Sequence, residues 1–393
     1  MTSLPNLVPE IEALQAEFTQ IRQHIHQHPE LGFEEVGTSE LVAGYLRQWG
    51  YDVHEGIGGT GVVGVLKLGD GARAIGLRAD MDALPIEENN NLQHQSKHTG
   101  KMHACGHDGH TAILLCAARY LAESKCFNGT LNLIFQPAEE TLGGALSMMN
   151  DGLFERFPCD AVYALHNAPG LPLGFFSAAA GTMAASADEV TIRLVGQGGH
   201  GAMPQLTKDP VVAAAETILA LQTIVARNVP PNETAVVSVG MVSAGEAANV
   251  IPANATLKLS VRATTPEVRV LLKKRIGEVV HGVAMVHDMQ VEYNFRPLVS
   301  TIFNSEAETA LAKQVISELV GPQNIIAPGR KGGLGSEDFA WMLERRPGCY
   351  VGLGNGTSGP TGCSLHNPGY DFNDLAIPYG ASYWARLVQA YLV

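Results

Sequence analysis

Positive charge is scarce in this sequence. Lys and Arg number 26 against 39 Asp and Glu, giving a formal charge of −13, and no block of basic residues occurs along the 393 residues. Neutralising phosphates takes clustered Lys and Arg, so a nucleic-acid partner is not expected. Long hydrophobic runs are missing as well. None approaches the length that crosses a bilayer, and the first residues, Met1 to Glu10, show no cationic stretch leading into an apolar one. No membrane partner and no signal peptide are expected, and the cytoplasm is the expected location. The 6 cysteines (Cys105, Cys116, Cys126, Cys159, Cys349 and Cys363) are too few and too scattered for a disulfide framework. Repeats and long low-complexity segments are absent. With 46% apolar and only 17% charged residues, the composition is that of a compact globular protein. Its length exceeds what a single core usually serves, so two domains are expected.

What the chain does contain is a dense run of ligand-type side chains. Met102-His103-Ala104-Cys105-Gly106-His107-Asp108-Gly109-His110 is followed at once by an apolar, helix-like segment, Thr111 to Leu121. A core has no use for this density, whereas thiolate plus imidazole suits zinc or a neighbouring transition metal. Taken alone, such a run could also be a solvated turn. The surrounding strands favour the metal. Ala74 to Ala79 runs into Asp80 and Asp82, Thr130 to Phe135 ends in Gln136, Pro137, Glu139 and Glu140, and Ala161 to Leu165 ends in His166 and Asn167. Successive strands that deliver such residues at their C-terminal ends are how an open α/β sheet builds a site.

Elsewhere the reading is of scaffold. Residues 8–29 carry Ile11, Leu14, Phe18, Ile21 and Ile25 at helical spacing. His24, His26 and His28 alternate near its end, a spacing that shares no helical face, and are read as surface or local contacts. Thr38 or Ser39 is expected to cap a second helix that ends near Gly50. After a small-residue stretch, Ser177 to Ala187, the pattern becomes β-α-β-β-α-β, that of a small open-faced α+β sandwich. The expected fold is therefore α/β, with a domain of residues 1–185 and 298–393 interrupted by an inserted domain of 186–297. A turn-rich stretch, Lys331 to Phe339, and a strand, Cys349 to Leu353, follow in the resumed first domain. The Gly-rich segment Gly352 to Gly356 lacks the Lys-Ser/Thr of a phosphate-binding loop and is read, at Gly354, as backbone approaching a substrate.

Seven stretches together resemble the M20 metallopeptidase family, in its branch of N-acyl-amino-acid amidohydrolases that includes hippurate and auxin-conjugate hydrolases. They are Arg78 to Pro85, Met102 to His110, Gln136 to Glu140, Leu165 to Asn167, Gly198 to Pro204, Ser336 to Ala340 and Leu365 to Pro368, in family order. The resemblance implies a catalytic domain with a central mixed sheet flanked by helices and an inserted lid or dimerisation domain. It also implies two divalent metal ions per subunit, held by Cys105, His107, Glu140, His166 and His366. Zinc is expected from the thiolate, with Mn, Co or Ni open. Glu139 is implied as general base and acid and Asp82 as the carboxylate that orients a ligand. Cys105 stands where the wider family has a bridging aspartate, and Asp80 where it has a histidine. His200 is implied to polarise the scissile carbonyl in the partner's site of a homodimer or higher homo-oligomer. Asn249 and Arg262 match substrate-binding positions, with Arg262 suited to a bidentate grip on a carboxylate. The expected reaction is hydrolysis of an N-acyl or N-aroyl amino acid to a carboxylate and a free amino acid. Within the family the rivals are a dipeptidase, an aminopeptidase and a carboxypeptidase. Outside it stand a metal-dependent binding protein without turnover and a non-peptide hydrolase such as a phosphatase.

Overall fold

The computed structural model describes residues 5–327 and 335–393. Residues 331–334 of the expected turn-rich stretch lie outside the described residues. The chain divides into two units: Met1–Met183, Phe303–Lys331 and Glu337–Val393 form one, and Ala184–Ile302 with Gly332–Ser336 the other. The helices are α1 (Pro9–Gln27), α2 (Val36–Gln48), α3 (His107–Ser124), α4 (Gly144–Asn150), α5 (Leu153–Arg156), α6 (Pro210–Asn228), α7 (Pro266–Val286), α8 (Glu306–Val320), α9 (Ala340–Leu343) and α10 (Ile377–Tyr391). The strands are β1 (Asp52–Ile57), β2 (Gly61–Leu68), β3 (Ala74–Asp80), β4 (Gly129–Gln136), β5 (Ala161–Pro169), β6 (Phe176–Ser177), β7 (Gly181–Ala184), β8 (Ser186–Val195), β9 (Gly199–His200), β10 (Ala235–Ala244), β11 (Val250–Ile251), β12 (Asn254–Ala263), β13 (Gln290–Val299), β14 (Ile302–Asn304), β15 (Ile325–Ile326) and β16 (Gly348–Gly356).

The larger unit is built on a mixed eight-stranded sheet in the order β1-β2-β4-β3-β5-β16-β6-β15. Its centre, β4, β3, β5 and β16, is parallel throughout. The C-terminal ends of these strands therefore share one edge, and that edge receives Asp80, Gln136 and His166. β3, β4 and β5 are nearly continuous apolar runs, as strands covered on both faces must be. α3 packs beside α1 and α10. The buried stripe of α1, Ile11, Phe18, Ile21 and Ile25, follows the helical period. The expected Thr38 or Ser39 cap is not formed, since both residues lie inside α2. The Glu30 carboxylate closes the helix start instead, accepting the Gly37 N–H, the Thr38 N–H and the Thr38 hydroxyl, each at 2.9 Å. A carboxylate from upstream satisfies the free amides and complements the helix dipole as a cap would.

The smaller unit is an antiparallel four-stranded sheet, β10-β12-β8-β13, with α6 and α7 packed against it. Val190, Ile192 and Leu194 of β8 and Leu257, Leu259 and Val261 of β12 form its core. Their spacing of two leaves the alternate side chains on the other face. Asp209 and Thr265 cap the two helices, each followed by proline at the first helical position. Among the described residues α6 alone is long and apolar enough to cross a bilayer by composition. Glu216 interrupts its apolar run, and Ala213, Ala214, Leu221 and Ile224 are buried in the core of this unit.

Candidate metal centre

The segment from Met102 to His110 crosses the sheet edge and enters α3, and two of its glycines show why that path needs them. Gly106 has a φ of 93°, and a Cβ there would lie 2.5 Å from Asn167 Oδ1 and 2.6 Å from the Tyr370 hydroxyl. A Cβ at Gly109 would stand 2.4 Å from the Phe372 ring. Cys105 and His107 are thus held between closely approaching neighbours. Two of the remaining three contributors lie at strained turns: Ala138 (φ 51°) precedes Glu139 and Glu140, and His366 itself has a φ of 62°. Left-handed non-glycine residues cost energy and collect at functional sites.

Two donor groups converge and share the cysteine. Ligand atoms of Cys105, His107 and His166 lie within 4.8 Å of one another, as do those of Cys105, Glu140 and His366. His107 and His166 are each anchored through Nδ1, and His366 Nε2 lies 3.1 Å from Glu140 Oε1. His107 Nδ1 is 3.1 Å from Asp82 Oδ1, while its buried Nε2 has no hydrogen-bond partner. His166 Nδ1 is 2.7 Å from the Asn167 carbonyl, which can only accept, so its Nε2 presents a lone pair 3.4 Å from Cys105 Sγ. Asp82 also accepts the Glu140 N–H through its second oxygen at 2.9 Å, so one carboxylate sets the position of two donors. An imidazole with its far nitrogen tied and its near nitrogen unmatched is built for a metal. The donor set of thiolate, imidazole and carboxylate fits a transition ion.

Electrostatics point the same way. Burial, reinforced by the nearby His110, holds His166 well below the ordinary imidazole range, in the neutral form that ligates. Burial pushes the Cys105 thiol up against the pull of His107. Burial also opposes charge on His107, but Asp80 and Cys105 outweigh it and raise its proton affinity. A cation here competes with those protons, since thiol and imidazole must release them to ligate. Glu139 is buried, and burial together with Glu337 and Asp338 lifts its carboxyl well above the usual range.

Sequence reasoning assigned no role to the residues that brace this cluster. Arg78, inside an otherwise apolar strand, donates to Asp80 Oδ2 (2.7 Å), Gln136 Oε1 (2.9 Å), Glu337 Oε1 (2.9 Å) and Asp338 Oδ1 (3.3 Å). Asp338 also accepts from Gln136 and from the Ala145 N–H. His110 bridges Asp80 (2.6 Å) and the Asn167 backbone (3.0 Å). The signal that could have found Arg78 is a charged residue in the middle of a buried strand, which must carry its own partners.

A profile described as peptidase family M20/M25/M40 matches residues 76–390, which takes in the sheet of the smaller unit and all the converging donors. This chain belongs to that family. It is 48% identical to the hippurate hydrolase of Campylobacter jejuni over 387 residues, 98% of this chain and 100% of that one. It is 38% identical to the IAA-amino acid hydrolase ILR1-like 2 of Arabidopsis thaliana, across 95% of this chain and 84% of the other. Among solved structures, the YXEP protein of Bacillus subtilis, described as a dinuclear metal binding peptidase from the M20 family, superimposes with a TM-score of 0.85 at 31% identity, covering 97% and 99% of the two chains.

In the smaller unit of this M20 chain, His200 and Asn249 come together. β9 pairs with β11, His200 opposite Val250, and the Gly201 N–H donates to the Asn249 carbonyl at 2.8 Å. His200 Nδ1 accepts the Ala202 N–H at 3.0 Å, so its exposed Nε2 carries the proton and can donate. Arg262 lies elsewhere. It pairs with Ala187 at the start of β8, whereas Asn254 pairs with Val195 at its end. That separates Arg262 from the His200 end of the sheet by roughly 26 Å. The Arg262 guanidinium donates to the Ser336 hydroxyl. Gly354 is buried in β16. Its N–H donates to Phe175 O at 2.8 Å, and a Cβ would lie 1.9 Å from Pro172 O, so the close approach of the connection between β5 and β6 requires a glycine here.

Proposed function

We propose that this chain is a metal-dependent amidohydrolase that cleaves N-acyl or N-aroyl amino acids of the hippurate type into a carboxylate and a free amino acid. The reading is carried by the convergence of two donor groups on Cys105 beside a buried carboxylate, Glu139, that neither group consumes. Similarity over the full length of a hippurate hydrolase supports the substrate class. Cys105, His107, Glu140, His166 and His366 would hold two divalent ions, with zinc favoured by the thiolate. When bound, such ions polarise the amide carbonyl and acidify water.

The chain's own residues do the rest. Glu139 takes a proton from the attacking water and delivers it to the amide nitrogen as the C–N bond breaks. Its raised proton affinity suits a group that must first accept and then give. Asp82 fixes His107 through Nδ1 and Glu140 through its backbone. His200, with Nε2–H exposed, donates to the oxygen that gains charge, and Arg262 grips the substrate carboxylate. Arg262 lies near the start of β8 and His200 in the β9–β11 ladder beyond its end, a separation that favours a homodimer in which His200 serves the partner's site. The smaller unit would then act as lid and dimerisation unit. Exposed Val211, Val212 and Leu219 on α6 and Met241 and Val242 on β10, an edge strand, offer an apolar face for that contact. We place the protein in the cytoplasm.

The deciding experiment pairs metal analysis with a substrate panel. Two equivalents of metal and amine release from hippurate or N-acetyl amino acids are expected, with dipeptides cleaved more slowly. Cys105→Ala should lose at least one equivalent. A metal-replete enzyme that prefers dipeptides would overturn the substrate class, and one inert towards the whole panel would overturn catalysis.

A further inference from the structure

A second histidine cluster lies on the outside of α1, and none of its members belongs to the catalytic assignment. His24 and His28 are one helical turn apart and share a face. Their ring centroids are 4.6 Å apart, and the His98 ring lies 6.0 Å from that of His28. The three line a cavity of about 370 Å³ together with Glu30, Thr38 and Leu41. His24 and His98 are exposed and His28 half-buried. His28 Nδ1 lies 2.8 Å from the His24 carbonyl, so that nitrogen carries the proton and Nε2 keeps its lone pair. The Glu30 carboxylate is committed to the start of α2 and leaves the donor set to imidazole.

We propose that His24, His28 and His98 form a separate surface site for a borderline transition ion such as Ni²⁺, Cu²⁺ or Zn²⁺. Imidazole favours these ions, whereas Mg²⁺ and Ca²⁺ call for oxygen ligands. Two imidazoles on one ion place their nitrogens roughly 3 Å apart, given metal–nitrogen distances near 2 Å. The His24–His28 ring spacing allows this, and His98 closes the site by a rotamer change that costs little at an exposed position. Burial, with His28 and Lys97 close by, holds His24 below the ordinary imidazole range, so it offers a neutral ring. The Lys97 ammonium donates to Gln27 Oε1 at 3.0 Å, and its repulsion of an incoming ion is screened by solvent. A bound ion would add a tie between the end of α1 and the 96–98 loop, where the Lys97 N–H already donates to the Gln27 carbonyl at 2.9 Å and the Ser96 N–H to Glu88 at 2.7 Å.

The test uses the untagged, full-length chain with its catalytic metals already loaded, dialysed to equilibrium against Ni²⁺. The native protein is expected to take up one equivalent more than the double variant His24→Gln/His28→Gln, and to gain thermal stability from Ni²⁺ that the variant does not. The variant should lose at least about tenfold in affinity for the extra ion. Its hydrolytic rate and circular dichroism should be unchanged. His98→Gln should weaken the site without abolishing it. Equal Ni²⁺ uptake by native protein and double variant would overturn the site, and a His98→Gln variant that binds as the native chain does would remove His98 from it.

Discussion

His107 and Asp108 are neighbours in sequence, both fully buried in the first turn of α3, yet they belong to two differently built clusters. Asp108 Oδ2 lies 2.8 Å from His26 Nδ1 and 3.4 Å from Arg22 Nη1, and Arg22 goes on to Asp371 (2.9 Å) and Asp374 (2.7 Å). That network carries its own cations: a guanidinium and an imidazole held charged. On the other side, Asp80, Asp82, Glu139 and Glu140 surround His107, and the guanidinium there, Arg78, is spent on Asp80, Glu337 and Asp338. His107 Nε2 is left unmatched. A buried charge without a partner is costly. The first cluster sets two cations, Arg22 and His26, against Glu88, Asp108, Asp371 and Asp374, and the second sets Arg78 and His107 against Asp80, Asp82, Glu139, Glu140, Glu337 and Asp338, so the second is the poorer in cations. Burial and density of charge do not separate a structural cluster from a catalytic one. What differs is how many carboxyl groups share each pair of cations.

The sharpest way to break this contrast is Glu139→Gln. It should cut kcat by about 10²–10⁴-fold while metal content and thermal stability hold. Unchanged turnover would refute the proton-transfer role. Next comes His200→Ala, which on the proposed role removes one donor to the developing oxyanion and should cost about 10²–10³-fold in kcat, with metal content again unchanged. Mixed with Glu139→Gln subunits it should regain activity, and failure to do so would argue against sharing across a dimer. Asp82→Asn is milder. It loosens His107 and the Glu140 backbone together, and metal affinity should fall by roughly 10–100-fold. Full affinity in that variant would mean that the two donors are set by the backbone alone.

Much of this was legible because strand ends declare themselves. Apolar runs that stop at Asp80, Gln136 and His166 located the edge, and the β-α-β-β-α-β order located the second sheet. Strand order within the larger sheet was not legible. β1 is mostly exposed and lacks a clean alternation, and β6 and β15 are two residues each, too short for any period. Partners distant in sequence were hidden for the same reason: Glu30 closing α2, and Glu337 and Asp338 gathered by Arg78, depend on chain crossings that no local pattern encodes. The histidines of α1 were read by their alternation, which hid two facts. His26 turns inward to Asp108, and His24 and His28 are a helical turn apart. No sequence signal shows that His107 and His166 are each tied at Nδ1, with Nε2 of His107 unmatched and Nε2 of His166 turned to Cys105 Sγ, and that orientation is what makes the cluster chemically suggestive.

The smallest effect tests whether the two clusters are truly separate. Burial opposes charge on His26, but hydrogen bonds to Asp108 and Glu88 outweigh it and lift its pKa from 6.5 to about 9. A group whose folded pKa is raised stabilises fully below its unfolded value and loses that contribution as pH climbs through the folded one. From that shift, the His26 contribution is worth about 3 kcal/mol, present below pH 6.5 and gone above about pH 9. His26→Gln should therefore destabilise the protein most in mildly acidic buffer, and its gap from the native chain in urea midpoint should close as the pH passes 9. The gap should be flat if His26 is neutral in the folded state. Metal content at neutral pH should not change. Metal loss in His26→Gln would show that Asp108 and His107 act as one cluster, because α3 would then pass a disturbance on one side directly to the donors on the other.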